Sequence, residues 1–206
     1  GNVWDVAGQS VTDSVVRSQS GRIVQHVSST GTTAYTSTYQ YDTAGRLVSA
    51  SIPGHQLSYQ FASSGGCGVN TSAGLSGNRT GFTDAYTAPG TSTAVTSSAA
   101  YCYDWADRLT STTVTGTLTG AFGVTDGLGA AEIAYDTRGN TVTLGDMQLG
   151  YDNANRHTGT TYADGSTVTV HRDATGRVVK RVTDPAGEPP AAEVVTLYAG
   201  DAAWGQ

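Results

Sequence analysis

One seven-residue pattern recurs along this chain and constrains its fold more than any bulk property. It is clearest at Tyr41-Asp42-Thr43-Ala44-Gly45-Arg46-Leu47. An Asp at the second position can accept hydrogen bonds from backbone amides further round a turn. Thr43 and Ala44 suit a type I turn, and Gly45 supplies the positive φ of the bulge that closes it. Strand-like residues flank the pattern, so it reads as the tip of a β-hairpin. Further copies are Tyr103-Asp104-Trp105-Ala106-Asp107-Arg108-Leu109, Tyr135-Asp136-Thr137-Arg138-Gly139-Asn140 and Tyr151-Asp152-Asn153-Ala154-Asn155-Arg156. Weaker ones are Arg17-Ser18-Gln19-Ser20-Gly21-Arg22-Ile23 and Arg172-Asp173-Ala174-Thr175-Gly176-Arg177-Val178. The fifth position holds Gly21, Gly45, Asp107, Gly139, Asn155 and Gly176, the residue types that tolerate left-handed backbone. Positive φ is expected at all six.

The repeats therefore lie near 17–23, 41–47, 103–109, 135–141, 151–157 and 172–178. A split copy fills the widest gap, over 59–80. Tyr59-Gln60-Phe61 ends a strand, Gly77-Asn78-Arg79-Thr80 restarts the pattern, and residues 63–76 are an insertion in the tip. A unit of about 20 residues made of one hairpin cannot bury its apolar face alone, so it must pair with its neighbours. The expected fold is all-β: antiparallel hairpin repeats forming one coiled sheet, a single repeat region over 1–206, with strands of about 4–8 residues. Residues 1–16 read as one strand-like stretch and 28–33 as a polar turn. Pro53-Gly54, Gly145-Asp146 and the Asp-Gly tip of Tyr162-Ala163-Asp164-Gly165-Ser166 are plain turns, and Ala199-Gly200-Asp201 is the last one. No amphipathic helix is evident. The pattern is already under way at the first residues, so the chain is expected to be part of a longer protein.

Charge excludes some partners. The net charge of −6 argues against nucleic acid and anionic membranes. No run of 18 apolar residues offers a membrane span. His26, His55, His157 and His171 lack metal-ligand spacing, no Gly-x-Ser-x-Gly elbow occurs, and no cofactor motif stands out. Gly127-Leu128-Gly129 is a poor phosphate loop because no helix follows it. Asp136 and Asp152 resemble a carboxylate pair, but turn chemistry already accounts for them. No catalytic or metal residue is expected. The repeat residues Tyr41, Asp42, Gly45, Arg46, Tyr103, Asp104, Asp107, Arg108, Tyr135, Asp136, Gly139, Tyr151, Asp152, Asn155, Arg156, Asp173, Gly176 and Arg177 are read as structural turns.

Cys67 and Cys102 are the two cysteines. Cys67 opens a Gly-rich insertion with little apolar area to hold it down, and Cys102 lies in the strand entering a repeat turn. A disulfide between them would pin the insertion and suit a secreted protein, contributing roughly 4 kcal/mol in the chain-entropy model. Two separate buried thiols are the alternative.

These repeats resemble the YD, or Rhs, repeats of bacterial Rhs polymorphic toxins, the C component of ABC toxin complexes, and the teneurins. The match is strongest at Tyr41–Leu47 and Tyr103–Leu109 and extends from about residue 17 to 178. Arg172 through Asp201 looks like the last repeats before the Rhs core domain, whose self-cleavage site has no match here. The resemblance implies a spiralling β-sheet that closes into a hollow shell, with this chain an arc of it. It implies a non-catalytic wall around a C-terminal toxin domain, whose partners are the remaining shell and its cargo. It implies a secreted or cell-surface protein. The competing reading is a recognition or adhesion module that binds glycans or a cell-surface partner through exposed Tyr and Trp, with Trp4, Trp105 and Trp204 in one groove. An enzyme, the third reading, needs a pocket of convergent carboxylates or His. Sheet edges hidden in a shell would associate if exposed, so edge-strand self-association is expected.

Overall fold

A computed structural model describes residues 1–116, 127–186 and 193–198. Trp204 and the Ala199-Gly200-Asp201 turn lie outside the described residues. Two compact units divide the chain, Gly1–Gly127 and Leu128–Gln206. In the first, nine strands form a meander: β1 (Asn2–Val6), β2 (Gln9–Arg17), β3 (Ile23–Thr30), β4 (Thr33–Tyr41), β5 (Leu47–Ile52), β6 (His55–Gln60), β7 (Gly81–Thr87), β8 (Ala94–Tyr103) and β9 (Leu109–Gly116). In the second, seven strands do the same: β10 (Ile133–Tyr135), β11 (Thr141–Leu144), β12 (Met147–Tyr151), β13 (His157–Thr161), β14 (Thr167–Arg172), β15 (Val178–Asp184) and β16 (Val194–Leu197). Every pairing is antiparallel and joins sequence neighbours, as hairpin repeats require. The described residues contain no α-helix, only a 3₁₀ turn at Ala73–Ser76. One long sheet was expected; the described strands form two.

Three local expectations need correction. Residues 1–16 are not one stretch, because Ala7 (φ 53°) and Gly8 (φ 77°) turn the chain between β1 and β2. Asp5 Oδ1 accepts the Gly8 amide at 2.9 Å and fixes that turn. The polar turn over 28–33 shrinks to two residues, since β3 and β4 pair out to Thr30 and Thr33. Strand β8 runs to ten residues, longer than periodicity suggested, because it pairs with β7 and β9 along its length.

Each sheet is a single layer, and the two faces of the first differ. One face carries the cross-strand row Tyr39–Ala50–Leu57–Asp84–Ser97 and the rows Ile52–His55–Tyr86–Val95 and Tyr59–Phe82–Ala99. Tyr59 and Phe82 rings lie 5.4 Å apart there, and His55 and Tyr86 rings 4.8 Å. The other face carries Ser49–Ser58–Thr83–Ser98–Thr115, with Thr83 and Ser98 hydroxyls bonded at 3.0 Å. Alternation along a strand puts these two sets on opposite sides. Among the described residues the buried apolar set is Ala50, Ala73, Ala99, Cys102, Ile133 and Val168, mostly small. A layer with nothing packed on it cannot bury large side chains. Stability then comes from the ladders, cross-strand pairs and tips.

Strand-interior glycines record close backbone approach. In β13, a Cβ on Gly159 would sit 2.7 Å from the Val168 carbonyl oxygen of β14. Gly159→Val should therefore cost about 1–3 kcal/mol, the price of overpacking. Thermal unfolding followed by circular dichroism checks it; an unchanged Tm would show that β13 and β14 are not this close.

Candidate functional site

Within each sheet, the organising feature is a row of hairpin tips at one end of the strands. In all six copies the amide at position two donates to the carbonyl at position six, and the amide at position five donates back to position two. For the second copy these are Asp42 N to Arg46 O at 3.0 Å and Gly45 N to Asp42 O at 2.9 Å. Position five has positive φ throughout: 82° at Gly21, 80° at Gly45, 58° at Asp107, 88° at Gly139, 59° at Asn155 and 87° at Gly176. Just below each tip the strand register slips by one. The extra residue is Val24, Val48, Thr110, Val142, Thr158 or Val179, β-branched every time. Sequence reasoning missed this eighth position, although its side-chain type was a visible signal. It also missed that residues 162–166 close with the same bonds, Tyr162 N to Ser166 O and Gly165 N to Tyr162 O, both 3.0 Å.

The Asp at position two is a clamp. Asp152 Oδ1 accepts the amides of Ala154 at 2.8 Å and Arg156 at 3.0 Å, while Oδ2 takes Arg156 Nε at 2.8 Å. Asp104 holds Ala106 and Arg108 in the same way, and Asp42 holds Arg46. In the copy without a basic residue at position six, Asn140 Nδ2 replaces the guanidinium on Asp136 at 2.8 Å. Asp173 also takes the Thr175 hydroxyl. These bonds hold the carboxyls below their ordinary range. For Asp42 and Asp152 the first cause is the amide six positions into the motif, and for Asp136 it is the Asn140 side chain. At Asp104 desolvation pushes upward, but the Arg108 bonds outweigh it. The Thr175 hydroxyl leads at Asp173, bringing it to about 2. An exposed ion pair alone is worth well under about 1 kcal/mol, so the amide bonds carry most of the clamp.

At three tips, position one reaches back to the tip before it. Tyr41 Oη donates to the Ile23 carbonyl and Tyr103 Oη to the Arg79 carbonyl, both at 2.9 Å. Where Arg stands at position one, Arg172 Nη2 reaches the His157 carbonyl at 3.3 Å. Each acceptor is position seven of the preceding tip. That explains how Arg substitutes for Tyr: both put a donor at the same distance from the strand.

The split copy keeps only its second half. Gly77 (φ 90°), Asn78 and Arg79 occupy positions five to seven, and the insertion replaces the rest. Cys67 and Cys102 are bonded, with Cα atoms 4.7 Å apart. Gly68 pairs with Tyr103, and the Asn70 amide donates to the Tyr103 carbonyl at 3.0 Å. On the other side, Arg46 lies over the Phe61 ring at 4.3 Å and donates to the Gly74 carbonyl. The insertion thus bridges the tips at 41–47 and 103–109. Asn70, in one sequon, is buried with its amide bonded to Asp107.

Chemistry-bearing residues elsewhere do not converge. Asp136 and Asp152 each clamp their own tip. His157 bonds Thr160 Oγ1 at 3.0 Å and stands opposite Tyr151. His26 pairs with Asp13, and His55 Nδ1 with Asp84 at 2.9 and 3.0 Å. Both pairs span adjacent strands diagonally; an Asp inside a strand such as β7 was their overlooked signal. Gly129 donates to Glu132 Oε2, so a carboxylate occupies the supposed phosphate loop. No group of three or more His, Cys, Asp or Glu suited to a metal occurs among the described residues. Trp4 (49% exposed, on β1) and Trp105 (73%, at the β8–β9 tip) stand far apart in the strand order. Among the described residues no helix is long and apolar enough to cross a membrane.

Such a meander of clamped hairpins defines a repeat protein of one β-layer. Residues 151–189 match the family described as RHS Repeat. No curated protein matches it. Among solved structures it is similar to the Tc holotoxin pore of Photorhabdus luminescens carrying TccC3-D651A, at 12% identity and TM-score 0.57, over 92% of this chain and 11% of that one. It is also similar to the complex TcdB2-TccC3-Cdc42, at 12% identity and TM-score 0.50, over 85% and 10%. These likenesses show the fold, and the chain spans about a tenth of the length of either structure's matched chain.

Two outcomes follow from the clamps and the bridge. Because folded carboxyls sit below their unfolded values, the clamps stabilise fully above the unfolded value of 3.8 and weaken as pH falls through the folded values, to about 2 at Asp173. Tm should hold level above about pH 5 and drop between about 4 and 2. Asp152→Asn with Asp173→Asn should flatten that drop; an equally steep fall in the double variant would remove the clamps as its cause. For the bridge, alkylation without reductant followed by intact mass should label no thiol, and reductant should expose two. Two labelled thiols without reductant would rule the disulfide out.

Proposed function

We propose that this chain is a non-catalytic stretch of wall in a secreted RHS-repeat shell that encloses a C-terminal toxin domain. The observation that carries it is the single-layer sheet with one aromatic face, one hydroxyl face and hairpin tips tied in a row. Such a layer encloses space rather than filling it, and its small buried set suits a partition better than an independent core. The likeness to Tc toxin structures supports the same reading. The whole of 1–206 then serves as one continuous repeat region, with the outermost strands β1, β9, β10 and β16 built to pair with further wall. Edge pairing between copies is the corresponding behaviour of the chain alone.

Proteolysis of the full-length parent tests this. The C-terminal domain should be cut at least tenfold more slowly inside the intact protein than when expressed by itself. Equal cleavage rates would reject enclosure. Binding to a glycan array that Trp105→Ala abolishes would favour the recognition reading instead.

A further inference from the structure

Neighbouring tips touch through a second pair of positions. In the pairs 22/45, 78/107, 140/155 and 156/176, position six of one repeat lies against position five of the next. A Cβ on Gly45 would overlap the Arg22 guanidinium, and one on Gly176 would lie 2.9 Å from an Arg156 nitrogen. Where position six is Asn, position five carries an acceptor instead. Asn78 Nδ2 donates to Asp107 Oδ1 at 2.9 Å, and Asn140 Nδ2 to Asn155 Oδ1 at 3.0 Å. The split repeat departs from this: Arg46 donates to the Gly74 carbonyl of the insertion instead, and a Cβ on Gly77 would meet nothing within 4 Å.

We propose that positions five and six form a pairing code between neighbouring repeats, in which Arg at six takes Gly at five of the following hairpin and Asn at six takes Asn or Asp. The physical basis is volume and hydrogen bonding. A guanidinium laid across a tip leaves no room for a side chain at position five. An Asn is shorter and leaves a gap that an Asn or Asp fills while accepting its amide. Both alternatives keep the left-handed backbone, since Gly, Asn and Asp all adopt it. Backbone conformation alone therefore does not choose between them; the preceding repeat does. In a chain of similar hairpins that can pair in the wrong order, such matching favours the sequence neighbour over another hairpin. The code rests on tip geometry and is independent of what the shell encloses.

Thermal unfolding of the full chain tests it through two double-mutant cycles. Gly45→Asn should lower Tm by roughly 3–6 °C, whereas Gly21→Asn, with no atom within 4 Å of its Cβ, should change it by less than about 2 °C. Adding Arg22→Asn should restore at least half of the Gly45→Asn loss, a non-additive coupling. In the second cycle Asn140→Arg should be destabilising, and Asn140→Arg with Asn155→Gly should recover. Equal losses for Gly45→Asn and Gly21→Asn, or additive effects in both cycles, would overturn the code. If Gly45→Asn does not fold, the Asn140–Asn155 cycle decides.

Discussion

The structure depends on a carboxylate that caps a turn. In five of the six tips an Asp at position two receives amides from its own hairpin and the side chain at position six, and in the first Ser18 Oγ accepts the Arg22 amide. A single exposed turn contributes little. Its importance comes from what it sets: the tip fixes the register of the two strands below it, and a one-residue slip would turn every side chain to the wrong face. With six clamped tips, each hairpin carries its own register marker, and β-strand pairing need not be specified by a packed core.

That local specification matters because the core is slight. The covered side chains are mostly small, Ala, Ser and Thr among them, and large aromatics such as Tyr59 and Phe82 gain contact by lying beside one another on one face. The polar opposite face satisfies its hydroxyls across strands, as Thr12 with Ser29 and Thr83 with Ser98 do. Asp84 is the exception, a buried carboxylate on the aromatic face. Its cost is offset by His55, whose Nδ1 faces both of its oxygens.

Connections between tips turn separate hairpins into a wall. Position one reaches back to a carbonyl, position six leans forward onto the next tip, and the insertion joins two tips through Arg46 on one side and Tyr103 on the other. The disulfide holds that bridge where a loop of small residues has little apolar area of its own.

The sequence by itself determined the hairpin units, their tips and the left-handed fifth residues, because these follow from interactions among residues at most a few positions apart. Asp42 and Gly45 announce a turn whatever surrounds them. The insertion's place in a tip was legible for the same reason: Gly77-Asn78-Arg79 keeps the second half of the motif. Tertiary structure alone decided what depends on strands meeting. The Ala7-Gly8 turn, held by Asp5 three residues away, is the local exception, hidden because it lacks the usual Asn-Gly sequence. The partnership of His55 with Asp84 joins residues that the chain separates widely. So do the contacts of Arg22 with Gly45 and Asn140 with Asn155, which exist only once neighbouring hairpins lie side by side. Periodicity predicts that the hairpins pair; which side chains then face each other is settled by register, and register is a property of the assembled sheet.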